Sequence, residues 1–439
     1  MLVSDYNYEL PEERIAKFPP KERGSTRLLV LDRHTGAVQD SYYRDLADFL
    51  RPGDLLILND TRVMRSRLFC ELPDGRRREL VVLEKHGNEP QRVMYRGKLH
   101  EGDELRIVIN KHGNTAFETA LDDGDDGRLK APFSRHFATN EERVEKKVLQ
   151  PMLDIITSET VRDNGSGMSE EPRDDGRDEA SRGSNMSSIV IKHILGNGIA
   201  EVESNIPLAN LAEKYGTVPL PPYLHRDATK SDTKRYQTVW ARHMGSAAAP
   251  TASLNMTDEL LAKLRAKGVI VKCLTLHVGL GTFLPMRTDK VEDHKMHSEW
   301  FHIPDDTLQA IQRVRVSGTN GQKSFFEDRK LGRTALSVSE KKDFAHSRPR
   351  IVALGTTVAR TLEYYARTGK TEGEDDIFIY PGYEFKLVDA LITNFHAPKS
   401  TVLMLASAFA GWDHLKSAYD HAIAEQYNFL SYGDSMLIY

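Results

Sequence analysis

The 439-residue chain sets 60 Lys and Arg against 64 Asp and Glu, a net charge of −4, and 39% of its residues are hydrophobic. That balance excludes a uniformly basic nucleic-acid binder, and no run of about 18 apolar residues is available as a membrane-spanning helix. Cys70 and Cys273 are the only cysteines, which excludes a disulfide framework and fits a reducing compartment.

The opening stretch MLVSDYNYELPEER has no basic, apolar leader, so a cytoplasmic protein is expected. Leu28–Asp32 and Ala37–Val38, joined by His34-Thr35-Gly36, read as a hairpin. Asp45–Leu50 reads as a short helix stopped by Pro52-Gly53. Leu55–Leu58 reads as a buried strand ending on Asn59-Asp60-Thr61-Arg62. Such a polar quartet either contacts a ligand or ties down a turn. From Leu68 to about Phe137 the pattern changes to short β-rich runs (Leu80–Leu83, Arg92–Tyr95, Leu105–Ile109, Ala116–Leu121) separated by turns. This spacing predicts a small antiparallel barrel or sandwich. Arg76-Arg77-Arg78 reads as a solvated hairpin tip or an anion contact.

The segment 157–188 holds eight acids and four bases, so the remaining residues balance at 56 of each sign. Its Gly, Ser, Asp and Glu content predicts a disordered loop. Ile189–Ile194 and Ile199–Val202 resume a β pattern, and the prolines of Val218–Tyr223 force an extended return to the first domain. An αβ unit follows. Thr257 is placed to cap a helix with Asp258 and Glu259 in its first turn, and Leu260, Leu261 and Leu264 form its apolar stripe. Gly268 fits the helix end, and Val269–Val278 suits a strand covered on both faces. Gly279-Leu280-Gly281 comes directly after it.

Residues 317–346 read as a second flexible insertion, and 315–348 holds eight bases against four acids. Arg350–Leu354 reads as a strand, Gly355-Thr356-Thr357 as a turn and Val358–Ala366 as a helix. Ile377–Tyr380 and Leu391–Thr393 read as further strands. A buried helix spans Val402–Phe409 with Ser400 as its cap; a surface helix spans Leu415–Tyr427, and a closing strand Ser435–Tyr439. Together these predict an α/β domain built from 1–66 and 216–439, with a β-barrel domain inserted at 67–215.

Four strand ends carry polar clusters: Asn59–Arg62, His277 with its glycines, Gly355–Thr357 and Asn394–His396. If their strands share one sheet edge, the clusters converge where open α/β sheets bind ligands. Three chemistries are open. His294, His297 and Glu299 can be read as metal ligands, Gly279-x-Gly281 as part of a dinucleotide loop, and the histidines as acid–base groups near neutrality.

The ordered stretches YELPEERIAKFPPKERGSTRLLVLD, PGDLLILNDTRV, VPLPPYLHR, YQTVWA, AAPTASLNM, LTLHVGLGTFLP, EDHKMHSE, GTTVARTLE, IFIYPGYEFKLVDALITNFHAPKSTVLML, SAFAG and SYGD run nearly end to end. With them the chain resembles the S-adenosylmethionine:tRNA ribosyltransferase-isomerase family of the queuosine pathway. The resemblance implies a larger α/β domain with an inserted β-barrel. It implies transfer and isomerisation of the ribosyl part of S-adenosylmethionine onto 7-aminomethyl-7-deazaguanine in tRNA. Epoxyqueuosine-tRNA, adenine and methionine would result, with no metal or redox cofactor. It puts catalysis on His294, His297, His396 and Glu299. It puts substrate binding on Asn59, Asp60, Thr61, Arg62, Tyr236, Pro250, Thr251, His277, Gly279, Gly281, Thr282, Thr356, Thr357 and Asn394. A monomer acting on tRNA is expected. Where the family has APTAGLHF this chain has APTASLNM, so Ser253, Asn255 and Met256 replace Gly, His and Phe. Asn255 can hydrogen-bond but cannot transfer a proton near neutrality. The remaining alternatives are a family member that binds tRNA without turnover and a metal-dependent hydrolase.

Overall fold

The computed structural model describes residues 1–83, 90–108, 188–196, 198–279, 286, 288–317 and 348–439. The chain divides into one compact body of residues 1–64 and 218–439 and another of residues 65–217. The larger body begins with β1 (Arg27–Leu31), β2 (Val38–Tyr42), the short helix α1 (Leu46–Phe49), β3 (Leu55–Asn59) and β4 (Thr61–Val63). The smaller body contains β5 (Arg67–Glu71), β6 (Arg77–Val82), β7 (Arg92–Arg96), β8 (Glu104–Ile107), β9 (Ser188–Gly196), β10 (Ile199–Ser204) and α2 (Leu208–Tyr215). The larger body resumes with α3 (Lys230–Arg235), β11 (His243–Ser246), α4 (Asp258–Ala266), β12 (Ile270–Leu276), β13 (Glu299–His302) and α5 (Asp305–Ser317). It closes with β14 (Ile351–Leu354), α6 (Thr356–Thr368), β15 (Glu372–Asp375), β16 (Ala390–Asn394), α7 (Thr401–Ala410), α8 (Trp412–Ala424) and β17 (Ser435–Ile438).

The main sheet runs β15-β13-β12-β3-β14-β16-β17-β1-β2. Strands β12, β3, β14 and β16 are parallel neighbours, and antiparallel strands flank them on both sides. Successive residues of a strand point to opposite faces, so an all-aliphatic strand feeds two cores. Leu55 and Ile57 enter one apolar cluster with α5, α6, α7 and α8, while Leu56 and Leu58 enter the other with α1 and α4. The short sheet of β4 and β11 lies outside this ladder.

The αβ unit at 257–278 forms as the residue pattern dictates. The Thr257 hydroxyl accepts from the Leu260 amide at 3.1 Å, and Gly268 takes φ +92°, a conformation that suits glycine. Coverage of β12 is a correction. Only its last three residues are buried and Ile270 is exposed, because β13 pairs with it only at Thr275 and Leu276. A second correction concerns Ile377–Tyr380, which is irregular chain. The strand at this point is β15, a polar stretch that pairs antiparallel with β13.

In the smaller body six strands close into an antiparallel barrel in the order β10-β7-β6-β5-β8-β9. Its interior takes alternate residues such as Leu68, Cys70, Leu80, Val82, Ile189 and Ile191, with Leu208 and Leu211 of α2 joining them. The expected strand at Ala116–Leu121, the acidic segment 157–187 and the insertion residues 318–346 lie outside the described residues. Among the described residues no helix is long and apolar enough to cross a membrane.

Candidate active site

Parallel pairing places the C-terminal ends of β12, β3, β14 and β16 on one edge of the sheet. The antiparallel neighbours bring the start of β13 and the end of β15 to the same edge. All four polar clusters of the sequence therefore meet there, joined by Glu299 and Asp375.

Asn59 and Asp60 serve the sheet. Asn59 is fully buried; its side-chain amide donates to the Leu276 carbonyl at 2.9 Å and its oxygen accepts from the Thr61 and Leu276 amides. Asp60 accepts from the Thr275 hydroxyl at 2.7 Å, with His243 at 3.7 Å. These bonds hold β3 to β12 where the ladder stops. Thr61 is buried with its hydroxyl 2.8 Å from His277 Nδ1, whereas Arg62 is exposed. The His277 ring stacks on Trp300 at 5.2 Å, and glycine is needed opposite it: a Cβ at Gly245 would stand 2.6 Å from His277 Nε2. Tyr236 is fully buried, edge-on to Tyr432, and burial pushes its phenol well above the usual value. Pro250 and Thr251 open the turn Thr251–Ser253 that packs beside β16. Gly281 and Thr282 lie outside the described residues.

The sequence pattern treats His294, His297 and His396 alike, and the structure separates them by burial. His294 ends the short turn Val291–Asp293, half-buried and edge-on to Phe378 at 5.2 Å. Burial and the neighbouring His297 lower its pKa, so the ring is neutral near pH 7 and able to accept a proton. His297 is exposed and makes no hydrogen bond among the described residues. His396 is enclosed. Its Nε2 lies 2.8 Å from the Thr393 hydroxyl, its amide donates to Tyr419, and Tyr8 donates to its carbonyl. Burial pushes its imidazole down to about 3, so this ring stays neutral and its chemistry is hydrogen bonding.

Glu299 is 5% exposed and firmly held. It accepts from the Gly279 amide at 2.7 Å and from the Arg360 guanidinium, which also reaches Asp375 at 3.3 Å. Burial outweighs the guanidinium at Asp375 and raises its carboxyl to about 6. Burial would lower the pKa of Arg360, yet the two carboxylates together hold it raised. Arg360 and Asp375 are functional candidates that the sequence reading missed. The available signal for Arg360 was a charged residue flanked by Ala359, Thr361 and Leu362 within the expected helix Val358–Ala366. Because Glu299 is committed to Arg360 and Gly279, it is not positioned as a ligand beside His294 and His297. Among the described residues no three His, Cys, Asp or Glu side chains group to hold a metal.

Next to Glu299 lies a recess of about 350 Å³ of atom-free space. Thr356 and Thr357 of α6 and Thr401 of α7 line it, with Arg360, Met296 and Phe378. The hydroxyls of Thr357 and Thr401 are buried without a hydrogen-bond partner, as is the side-chain oxygen of Asn394 at the same sheet edge.

Asn255 is 2% exposed and donates to the Gly433 carbonyl at 3.1 Å and to the Ser435 hydroxyl at 3.4 Å. It fastens the turn at 251–256 to the start of β17, a task that needs a donor and no proton transfer. Asn255→Ala is therefore expected to cost about 1–3 kcal/mol in denaturant unfolding while turnover stays within a few-fold of wild type. A loss of turnover with unchanged stability would contradict this.

The family model described as queuosine biosynthesis protein matches residues 3–158, 139–321 and 333–438. Proteins named S-adenosylmethionine:tRNA ribosyltransferase-isomerase from Pelodictyon phaeoclathratiforme and Chlorobium luteolum are each 42% identical, over 447 and 445 residues, and all of both chains is covered. A solved S-adenosylmethionine tRNA ribosyltransferase from Thermotoga maritima is 26% identical over 99% of this chain and 100% of its own, with a TM-score of 0.44. On the family model and the full-length relatives, the chain belongs to the queuosine biosynthesis protein family.

Proposed function

We propose that this chain is an S-adenosylmethionine:tRNA ribosyltransferase-isomerase. It transfers and rearranges the ribosyl part of S-adenosylmethionine onto the 7-aminomethyl-7-deazaguanine base of a tRNA. Epoxyqueuosine-tRNA forms, and adenine and methionine leave. The observation that carries this reading is full-length identity of about 40% to relatives of that name. A sheet edge that holds a buried carboxylate, with the half-buried His294 against Phe378 on the wall of the adjoining recess, supports it.

The sulfonium acidifies the C5′ position of the donor, so a base must take a proton there; adenine leaves better when protonated, and the attacking amine must be neutral. In this proposal His294 and His297 handle protons, and Glu299, oriented by Arg360 and the Gly279 amide, faces the positive charge of the donor. His396 supports Thr393 from within the fold. The protein acts in the cytoplasm, as a monomer.

Incubation with tRNA bearing the precursor base and S-adenosylmethionine, followed by nucleoside mass analysis, tests the reading. Epoxyqueuosine with release of adenine is the expected result. Retention of tRNA with no new nucleoside would overturn it.

A further inference from the structure

The connection from β12 to β13 carries His294, Met296 and His297, yet it has little of its own to hold it. Between Thr288 and Ser298 it forms one short turn, Val291–Asp293, closed by bonds within itself. Among the described residues, the backbone bonds that leave this stretch all go to residues 1–3. Val3 donates to the Asp289 carbonyl at 2.9 Å, Val291 donates to the Met1 carbonyl at 3.1 Å, and Leu2 bridges Lys290 in antiparallel register. Val3 and Val291 are both buried in the core of the larger body. Further along, the same segment is anchored to the loop of the other candidate histidine. The Tyr6 carbonyl accepts from the Lys399 amide at 3.1 Å, and the Tyr8 hydroxyl donates to the His396 carbonyl. Tyr6 packs on Trp412 and Tyr8 stands edge-on to Tyr419, with ring centroids 5.2 Å apart in each pair. This loop follows β16 directly and His396 is enclosed, so the anchor is firm.

A connection with so few bonds of its own samples many conformations unless something outside it fixes one. A proton acceptor displaced by about 1 Å loses on the order of a hundredfold in rate. We propose that Leu2–Tyr8 is a strap that positions His294 for proton transfer by hanging its loop from the turn at 396–399. The strap residues act through the backbone at 289–291 and touch no reacting atom. Apolar packing alone would fasten the segment to the core. The paired bonds at one end, with the bonds to His396 and Lys399 at the other, also fix where the loop sits along it. The assignment rests on the proposed role of His294 in the reaction.

Val3→Pro tests it. The change removes the donor to Asp289, and the extended Leu2 before it, at φ −87° and ψ 138°, accommodates a proline. Amide exchange at Val291 should speed by about tenfold or more. At a temperature well below the melting point, kcat should fall by about tenfold or more, with KM for tRNA and S-adenosylmethionine unchanged. Val3→Ala keeps the donor and loses only packing, so its melting temperature should fall while kcat stays near wild type. In a His294→Ala background Val3→Pro should hardly lower kcat further, since both changes disable one group. Tyr8→Phe releases the other anchor and keeps the ring; it should repeat the pattern, and it carries the test if the proline variant does not fold. Unchanged exchange at Val291 or unchanged kcat overturns the strap, as does a proline loss that simply multiplies the loss of His294→Ala. An equal loss of kcat in Val3→Ala also overturns it, since packing would then be the cause. Full turnover by His294→Ala would instead remove that histidine from the chemistry, and a wild type without turnover would remove the proposed function. The exchange measurement needs neither.

Discussion

Arg360→Met is expected to destabilise the larger body by about 3–5 kcal/mol near neutral pH. The guanidinium stands between Glu299 and Asp375, and all three side chains are buried. Methionine fills much of the volume but leaves two carboxylates facing each other without a cation. Burial, no longer opposed by the guanidinium, then raises the Asp375 carboxyl further from its value of about 6. The sign of the pH effect follows. Between the unfolded carboxyl pKa, about 4, and the raised folded value of Asp375, the folded chain binds more protons than the unfolded chain. Stability of the variant therefore falls as pH rises through that window and recovers on acidification. Denaturant melts at pH 5 and pH 8 check this: the gap from wild type should narrow at pH 5. A variant as stable as wild type at pH 8 would show that the triad contributes nothing. Turnover should drop as well, because Glu299 loses the guanidinium that holds it.

His297→Ala is expected to lose turnover by at least about a hundredfold while the melting temperature and tRNA affinity stay near wild type. The competing explanation is that this histidine anchors the loop at 292–299. The structure gives it little to anchor with, since it is exposed and has no hydrogen bond among the described residues. The two roles separate when melting temperature, tRNA affinity and single-turnover rate are measured on one preparation. A rate within about tenfold of wild type would remove His297 from the chemistry.

The strands of the main sheet were legible because Leu55–Leu58 is an unbroken apolar run and Leu391–Thr393 is aliphatic and β-branched, the pattern of a strand buried on both faces. Helix starts were legible from Thr257 and Ser400, whose hydroxyls accept the bonds their positions imply. Convergence of the four polar clusters also followed, given parallel strands. Strand β15 was not legible. Glu372-Gly373-Glu374-Asp375 is polar because it is the outermost strand of the sheet, where apolar residues would invite aggregation. The Glu299–Arg360–Asp375 cluster was hidden for a related reason. Glu299 and Asp375 meet through the register of β13 on β15, a long-range pairing with no local signal, and Arg360 reaches both from α6. The enclosure of His396 depends on Tyr8 and Tyr419, both far away in sequence. Asn59 looked like a ligand-binding group because a polar side chain that sutures two strands has the same local pattern.

Strand β17 sets the order in which this protein can be assembled. Residues 435–438 lie between β16 and β1, and the β1–β2 hairpin joins the rest of the main sheet only through them. During synthesis the strands of the barrel have all emerged by Ser204, so that body can fold while the ribosome is still at work. The hairpin at 27–42 must wait about 400 residues for its partner, a long loop to close and a slow class of contact. Until then the edges of β1 and β16 are bare templates for the wrong strand. The larger body is thus exposed to misassembly until one four-residue strand is delivered.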